Sequence, residues 1–211
     1  MKILCIHGLS RTPLSLLGLA GYLQGYGWKT EQFGYFAATE SFEQIVLRLR
    51  QKIQAIAKTE KYSIVAHSLG GVLTRAALAC PQTPAPEQVV MLGTPNQPPR
   101  LAPLAWHLPP FRWWTGQCGL NLTDKTFYAM LPALDVPYRV IAGISGPRGV
   151  LSPFGDELND GIVALTETHL SPTDDVIQLP VLHTFMMNHP PLQRLVKDIL
   201  RKGDRQLFSM G

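Results

Sequence analysis

Short apolar runs alternate along this chain with longer stretches whose apolar residues recur every three or four positions. Residues 3–6, Ile-Leu-Cys-Ile, read as a strand, and residues 14–24 as a helix closed by Gly25 and Gly27. Residues 28–35 read as a second strand. Ser41 opens the clearest helical period: Phe42, Ile45, Val46, Leu49, Ile53 and Ile56 share one face, and Ser41 with Gln44 has the form of a capping box. Further strands are predicted at 62–66, 88–92, 138–144 and 176–179, with a helix at 71–80. A last helix follows Pro190-Pro191, with Leu192, Leu195, Val196, Ile199 and Leu200 on its apolar face. This alternation predicts an α/β fold, a mostly parallel β-sheet flanked by helices, in one domain over residues 1–211.

Residues 95–132 break the pattern. They hold Pro95, Pro98, Pro99, Pro103, Pro109, Pro110 and Pro132, together with Trp106, Trp113 and Trp114. A segment this long between two strands reads either as a cap or lid over a site, or as an irregular excursion packed on the body.

Composition narrows the class. Of 211 residues, 45% are apolar and 16% charged, which is the profile of a globular chain and not of a disordered one. The formal charge of +4 is carried by scattered residues. The densest groups, Arg48, Arg50 and Lys52, then Arg194, Lys197, Arg201, Lys202 and Arg205, fall on predicted helix faces and read as solvated surface, with no nucleic-acid partner implied. Cys5, Cys80 and Cys118 are widely spaced, so neither a disulfide framework nor a zinc site is expected. No secretory leader and no apolar run long enough to span a bilayer is evident, which predicts a cytoplasmic protein without obligate partner.

The chemistry concentrates at Ala66-His67-Ser68-Leu69-Gly70. A serine between a predicted strand and helix, with small residues two positions to either side, has the form of a nucleophile elbow. Larger side chains at those flanking positions would collide in so tight a turn. The turn lifts the Ser68 hydroxyl off the sheet edge at a helix N-terminus, which favours developing negative charge.

A serine hydroxyl needs a base, a group to orient that base, and donors for the oxyanion. Among the six histidines, His183 and His189 lie between the last strand and the last helix, where a loop reaches over the sheet edge. His183 follows Val181-Leu182 directly and is the better placed; His189 precedes two prolines and also serves as a helix cap. For the acid, Asp160 sits in the turn Asn159-Asp160-Gly161, with Asp135, Asp156, Asp174 and Asp175 as competitors. The oxyanion donors fall by position to the backbone N–H groups of Leu69 and Leu9. Trp113 and Trp114 are candidate acyl-binding residues. No metal-ligand spacing or phosphate-binding glycine loop is present, so neither metal nor cofactor is expected.

These segments together resemble the α/β-hydrolase superfamily, and more closely its small bacterial lipase/esterase and PGAP1-like (GPI inositol-deacylase-like) branch. The resemblance runs from Ile3-Leu4-Cys5-Ile6-His7-Gly8-Leu9 through the elbow to Leu92-Gly93-Thr94-Pro95, Asn159-Asp160-Gly161-Ile162-Val163 and His183-Thr184-Phe185. It implies Ser68 as nucleophile, Asp160 as the orienting acid, His183 as the base and acyl esters, small or lipid, as substrates. Asn96-Gln97-Pro98 stands where the family often has His and then Gly. Acyl transfer or amide hydrolysis by the same triad, or a silent binding module, are the rival readings; contact with lipid surfaces is a minor option.

Overall fold

The computed structural model describes residues 1–208, and side chains through residue 202; Arg205 of the basic group therefore lies outside the described side chains. Six strands form one sheet: β1 (Lys2–Ile6), β2 (Lys29–Phe33), β3 (Tyr62–His67), β4 (Val89–Leu92), β5 (Tyr138–Gly143) and β6 (Ile177–Leu179). Their order is β2-β1-β3-β4-β5-β6, and every neighbouring pair is parallel. All strands therefore end on one edge. The order reverses between β1 and β3, and in open parallel sheets such a switch point opens a crevice at the carboxyl ends.

The central strands are apolar on both faces, as a sheet covered on both sides requires. Leu4, Ile6, Ile64, Ala66, Val89 and Met91 face α2 (Phe42–Ala57) and α3 (Leu69–Leu78). Ile3, Cys5, Val65, Val90, Leu92 and Ile141 face α1 (Leu17–Gln24) and the final helix, Pro190–Phe208. The period-two alternation of a strand divides the two cores. Helix α2 starts where the pattern placed it: Ser41 Oγ accepts from the Gln44 N–H, and the Gln44 side chain accepts from the Ser41 N–H.

Residues 95–132 are not an irregular excursion. They fold into α4 (Leu101–Trp106), α5 (Pro109–Asn121), broken at Gly116, and α6 (Lys125–Met130). The prolines that obscured this sit at helix starts or between helices, where the missing N–H has no helical partner to lose.

Candidate active site

The elbow joins β3 to α3. Ser68 has φ 52° and ψ −124°, a conformation that non-glycine residues rarely adopt and that costs of order 1–3 kcal/mol. Its N–H donates to Leu92 O (2.9 Å) and its carbonyl accepts from Gly71 N–H (2.9 Å), so neighbouring elements enforce the turn. A Cβ on Gly70 would stand 2.6 Å from Ile6 O, which is why the residue two after the serine has no side chain. Ser10 (φ 55°), in the loop after β1, is the other non-glycine residue with positive φ among the described residues. Both serines border the same cavity.

The base and acid candidates come together. His183 Nδ1 lies 2.6 Å from Asp160 Oδ2, both residues being buried. A carboxylate oxygen only accepts, so Nδ1 is the donor of this pair, and in the neutral imidazole that leaves Nε2 as the acceptor. Asp160 Oδ1 accepts from the N–H groups of Ile162 (3.0 Å) and Val163 (2.7 Å), and the His183 N–H donates to Asp160 O (2.9 Å). The carboxylate is thus fixed from three directions. Gly93 (φ +53°) packs on the pair: a Cβ there would meet both Asp160 Oδ2 and His183 Nδ1 at 3.0 Å.

The competing residues are engaged elsewhere. Asp174 accepts from the N–H groups of Leu170 and Ser171 and from the Tyr138 hydroxyl. His189 is not among the residues that line the cavity; its backbone N–H donates to Met186 O, and its ring Nδ1 is buried without a partner among the described residues. His67 borders the cavity and packs against the ring of His183. Its ring centroid is 4.7 Å from that of His183, and its Nε2 donates to His183 O (3.2 Å). Burial, and then the field of His183, hold His67 well below the ordinary histidine pKa, so it is neutral. His7 is likewise lowered by burial; its Nδ1 donates to Gly8 O and its Nε2 accepts from the Tyr35 N–H.

The cavity holds about 450 Å³. Ser68, His67 and His183 line it, with Leu9, Ser10 and Arg11 from the loop after β1. Pro99, Leu101, Ala102, Ala105, Phe111 and Leu122 of the helical segment give an apolar wall, and Ile162 and Val163 complete it. Leu69 is the first residue of α3, where the helix leaves the N–H without an internal acceptor, and Leu9 borders the cavity. Trp113 and Trp114 are not in this wall. Trp113 is 77% exposed, and Trp114 lines a separate small alcove with Arg11, Phe36 and Ala37. Helical facing explains the miss: in the first half of α5, before the break at Gly116, Phe111 turns toward the cavity while Trp113 and Trp114 turn away. Ser68 Oγ makes no hydrogen bond among the described residues, as catalytic contacts in unliganded sites often do not.

Two arginines, unremarked in the sequence, hold the cap. Arg75 of α3, 4% exposed, donates to Asn96 O at the segment's entry and to Leu131 O and Pro132 O at its exit. Arg100 Nε donates to Glu167 Oε1, and its terminal nitrogen pairs with Glu157, which ties the cap to the loop carrying Asp160. Asn96, at the departure from the family pattern, is buried and donates to Thr168 O (2.8 Å).

Residues 35–95 match the family described as "Putative serine esterase (DUF676)". No curated protein matches. Many solved structures do. A lipase of Bacillus licheniformis, in mature form, is 20% identical with a TM-score of 0.70, over 94% of this chain and 91% of that one. A metagenomic carboxyl esterase is 17% identical with a TM-score of 0.68, over 98% and 76%. A phospholipase from Legionella pneumophila is 17% identical with a TM-score of 0.64, over 81% of this chain; the match spans 46% of the phospholipase's own length. The sheet order and the elbow give the chain the α/β-hydrolase fold of these lipases and esterases, and its residues 35–95 are similar to the serine esterase family.

Proposed function

We propose that the chain hydrolyses carboxylic esters through Ser68, His183 and Asp160 by way of an acyl-enzyme. His183 Nε2 takes the Ser68 proton as Oγ bonds to the ester carbonyl carbon. The N–H groups of Leu69 and Leu9 donate to the resulting oxyanion. As the intermediate collapses, the C–O bond to the alcohol breaks and His183 returns the proton to that alcohol. Water, deprotonated by the same imidazole, then releases the acid and regenerates Ser68. Asp160 keeps its negative charge throughout, holding Nδ1–H and stabilising the imidazolium.

The observation that carries this reading is the 2.6 Å pair of Asp160 with His183, the latter lining the same cavity as Ser68. The apolar cap wall favours an acyl chain over a polar one. The experiment is labelling with a fluorophosphonate serine probe, beside Ser68→Ala and His183→Ala. Labelling confined to the wild type is expected; labelling of Ser68→Ala, or none in folded wild type, overturns the reading.

A further inference from the structure

The cavity contains one charge that the proposed reaction does not use. Arg11 lines it beside Leu9 and Ser10, and also lines the small alcove with Thr12, Tyr35, Phe36 and Trp114, so it stands where the two spaces meet. No hydrogen bond or ion pair engages its guanidinium among the described residues. The residue is half-buried, and its guanidinium is left available to a ligand in the cavity. The two arginines that hold the cap are engaged by contrast: Arg100 has Glu157 and Glu167, and Arg75 has three carbonyls. The loop that presents Arg11 is tightly specified. Its N–H donates back to Gly8 O (3.3 Å) around Ser10, which is held at φ 55°. Backbone strain of this kind clusters where a side chain must be aimed.

We propose that Arg11 is a binding subsite for an oxyanionic group, phosphate or carboxylate, carried on the substrate beyond its scissile ester. The cap wall of Leu101, Ala102, Ala105, Phe111 and Leu122 offers nothing to a charge and takes the acyl half. The anionic half lies toward the loop after β1, where a guanidinium engages two oxygens at once. The preferred substrate class is therefore an ester with an apolar acyl group and an anionic alcohol portion. This rests on the serine-esterase reading for the reaction, but the binding itself does not.

The test separates the two. The probes are butanoyl glycerol and butanoyl glycerol 3-phosphate, both freely soluble. Binding is measured by calorimetry to Ser68→Ala and to Ser68→Ala/Arg11→Gln, and hydrolysis by the wild type, Arg11→Gln and Arg11→Lys. We expect the phosphate ester to bind Ser68→Ala more tightly than the neutral ester, and Arg11→Gln to weaken it about ten- to a hundredfold. The ratio of kcat/KM between the two esters should fall toward one in Arg11→Gln and partly recover in Arg11→Lys; a general loss of activity leaves that ratio unmoved. Inorganic phosphate and succinate as competitors distinguish the two oxyanions. Equal binding of both esters, or an Arg11→Gln effect equal on both, overturns the proposal. Tight, Arg11-dependent binding without turnover of either ester retains the subsite and removes the esterase reading.

Discussion

The two walls of the cavity are built on opposite principles. On the sheet edge, Ser68 follows β3 directly and His183 follows β6 by four residues, while Asp160, from the long loop after β5, is buried with both carboxylate oxygens engaged and holds His183 Nδ1. On the cap side, short helices lean on the body through Arg75 and Arg100, while Leu104, Leu108, Trp113 and Met130 face outward. Proton transfer requires hydrogen-bond geometry, so the edge is over-determined by the backbone. Accommodating an acyl chain requires only shape and apolar surface, so the cap is fixed at its base and free to vary along its length.

The sharpest break in this comparison is Asp160→Asn. The amide retains an oxygen for the Ile162 and Val163 N–H groups but presents a donor to His183 Nδ1, favouring the wrong tautomer. Ester hydrolysis should fall by about 10⁴-fold with a small change in thermal stability. A loss under tenfold would show that the carboxylate does not orient the base. Next in size is Arg75→Met, which keeps the volume and leaves the carbonyls of Asn96, Leu131 and Pro132 without their donor. It should cost about 3 kcal/mol, since each orphaned buried group costs about 1–3 kcal/mol. Limited proteolysis should then cut between residues 97 and 131 below the global melting temperature. If cutting and melting coincide, the cap is not a separately anchored unit.

The same contrast governs what could be read from the residues. The sheet, α2 with its capping box and the elbow were legible, because period-two and period-3.6 patterns and small-residue spacing are local signals. Asp160 and His183 were reachable from chain order and turn residues, and the structure brings them together. The helices of residues 95–132 were not legible, because proline is counted as a helix breaker although Pro109 and Pro110 open α5. Exposed Trp113 and Trp114 drew attention by their size, whereas the inward residues Phe111 and Leu122 carry no mark that distinguishes them. Arg75 left one usable signal: a cation among Val72, Leu73, Ala76, Ala77 and Leu78, with no polar face to belong to. Its carbonyl partners are backbone, and backbone acceptors are silent in sequence.

A smaller effect tests how tightly the edge is packed. Burial lowers His67 and His7, so each binds a proton more readily when the chain is unfolded. Their contribution to stability is complete above the ordinary histidine value of 6.5 and is lost as pH falls below it. Each neutral histidine adds a slope of about 1.4 kcal/mol per pH unit there. His67→Gln keeps a donor for His183 O but cannot titrate, so chemical denaturation between pH 6.5 and 5.5 should show that slope reduced by one histidine's share. An unchanged slope would mean that the folded protein protonates His67 freely.

The smallest expected effect lies in the cap wall and decides which aromatics meet the acyl chain. Phe111→Ala removes a ring that borders the cavity and should lower kcat/KM for octanoyl over butanoyl esters by about tenfold, in line with the 1–3 kcal/mol that apolar pockets use to distinguish chains by a methylene. Trp113→Ala, on the outward face, should change that ratio less than twofold. The comparison is internal to one helix, α5, so any general loosening of the cap affects both variants. If Trp113→Ala shifts the chain-length ratio as much as Phe111→Ala does, the outward face of α5 also touches the substrate, and the division between a precise edge and a merely apolar cap no longer describes the cavity.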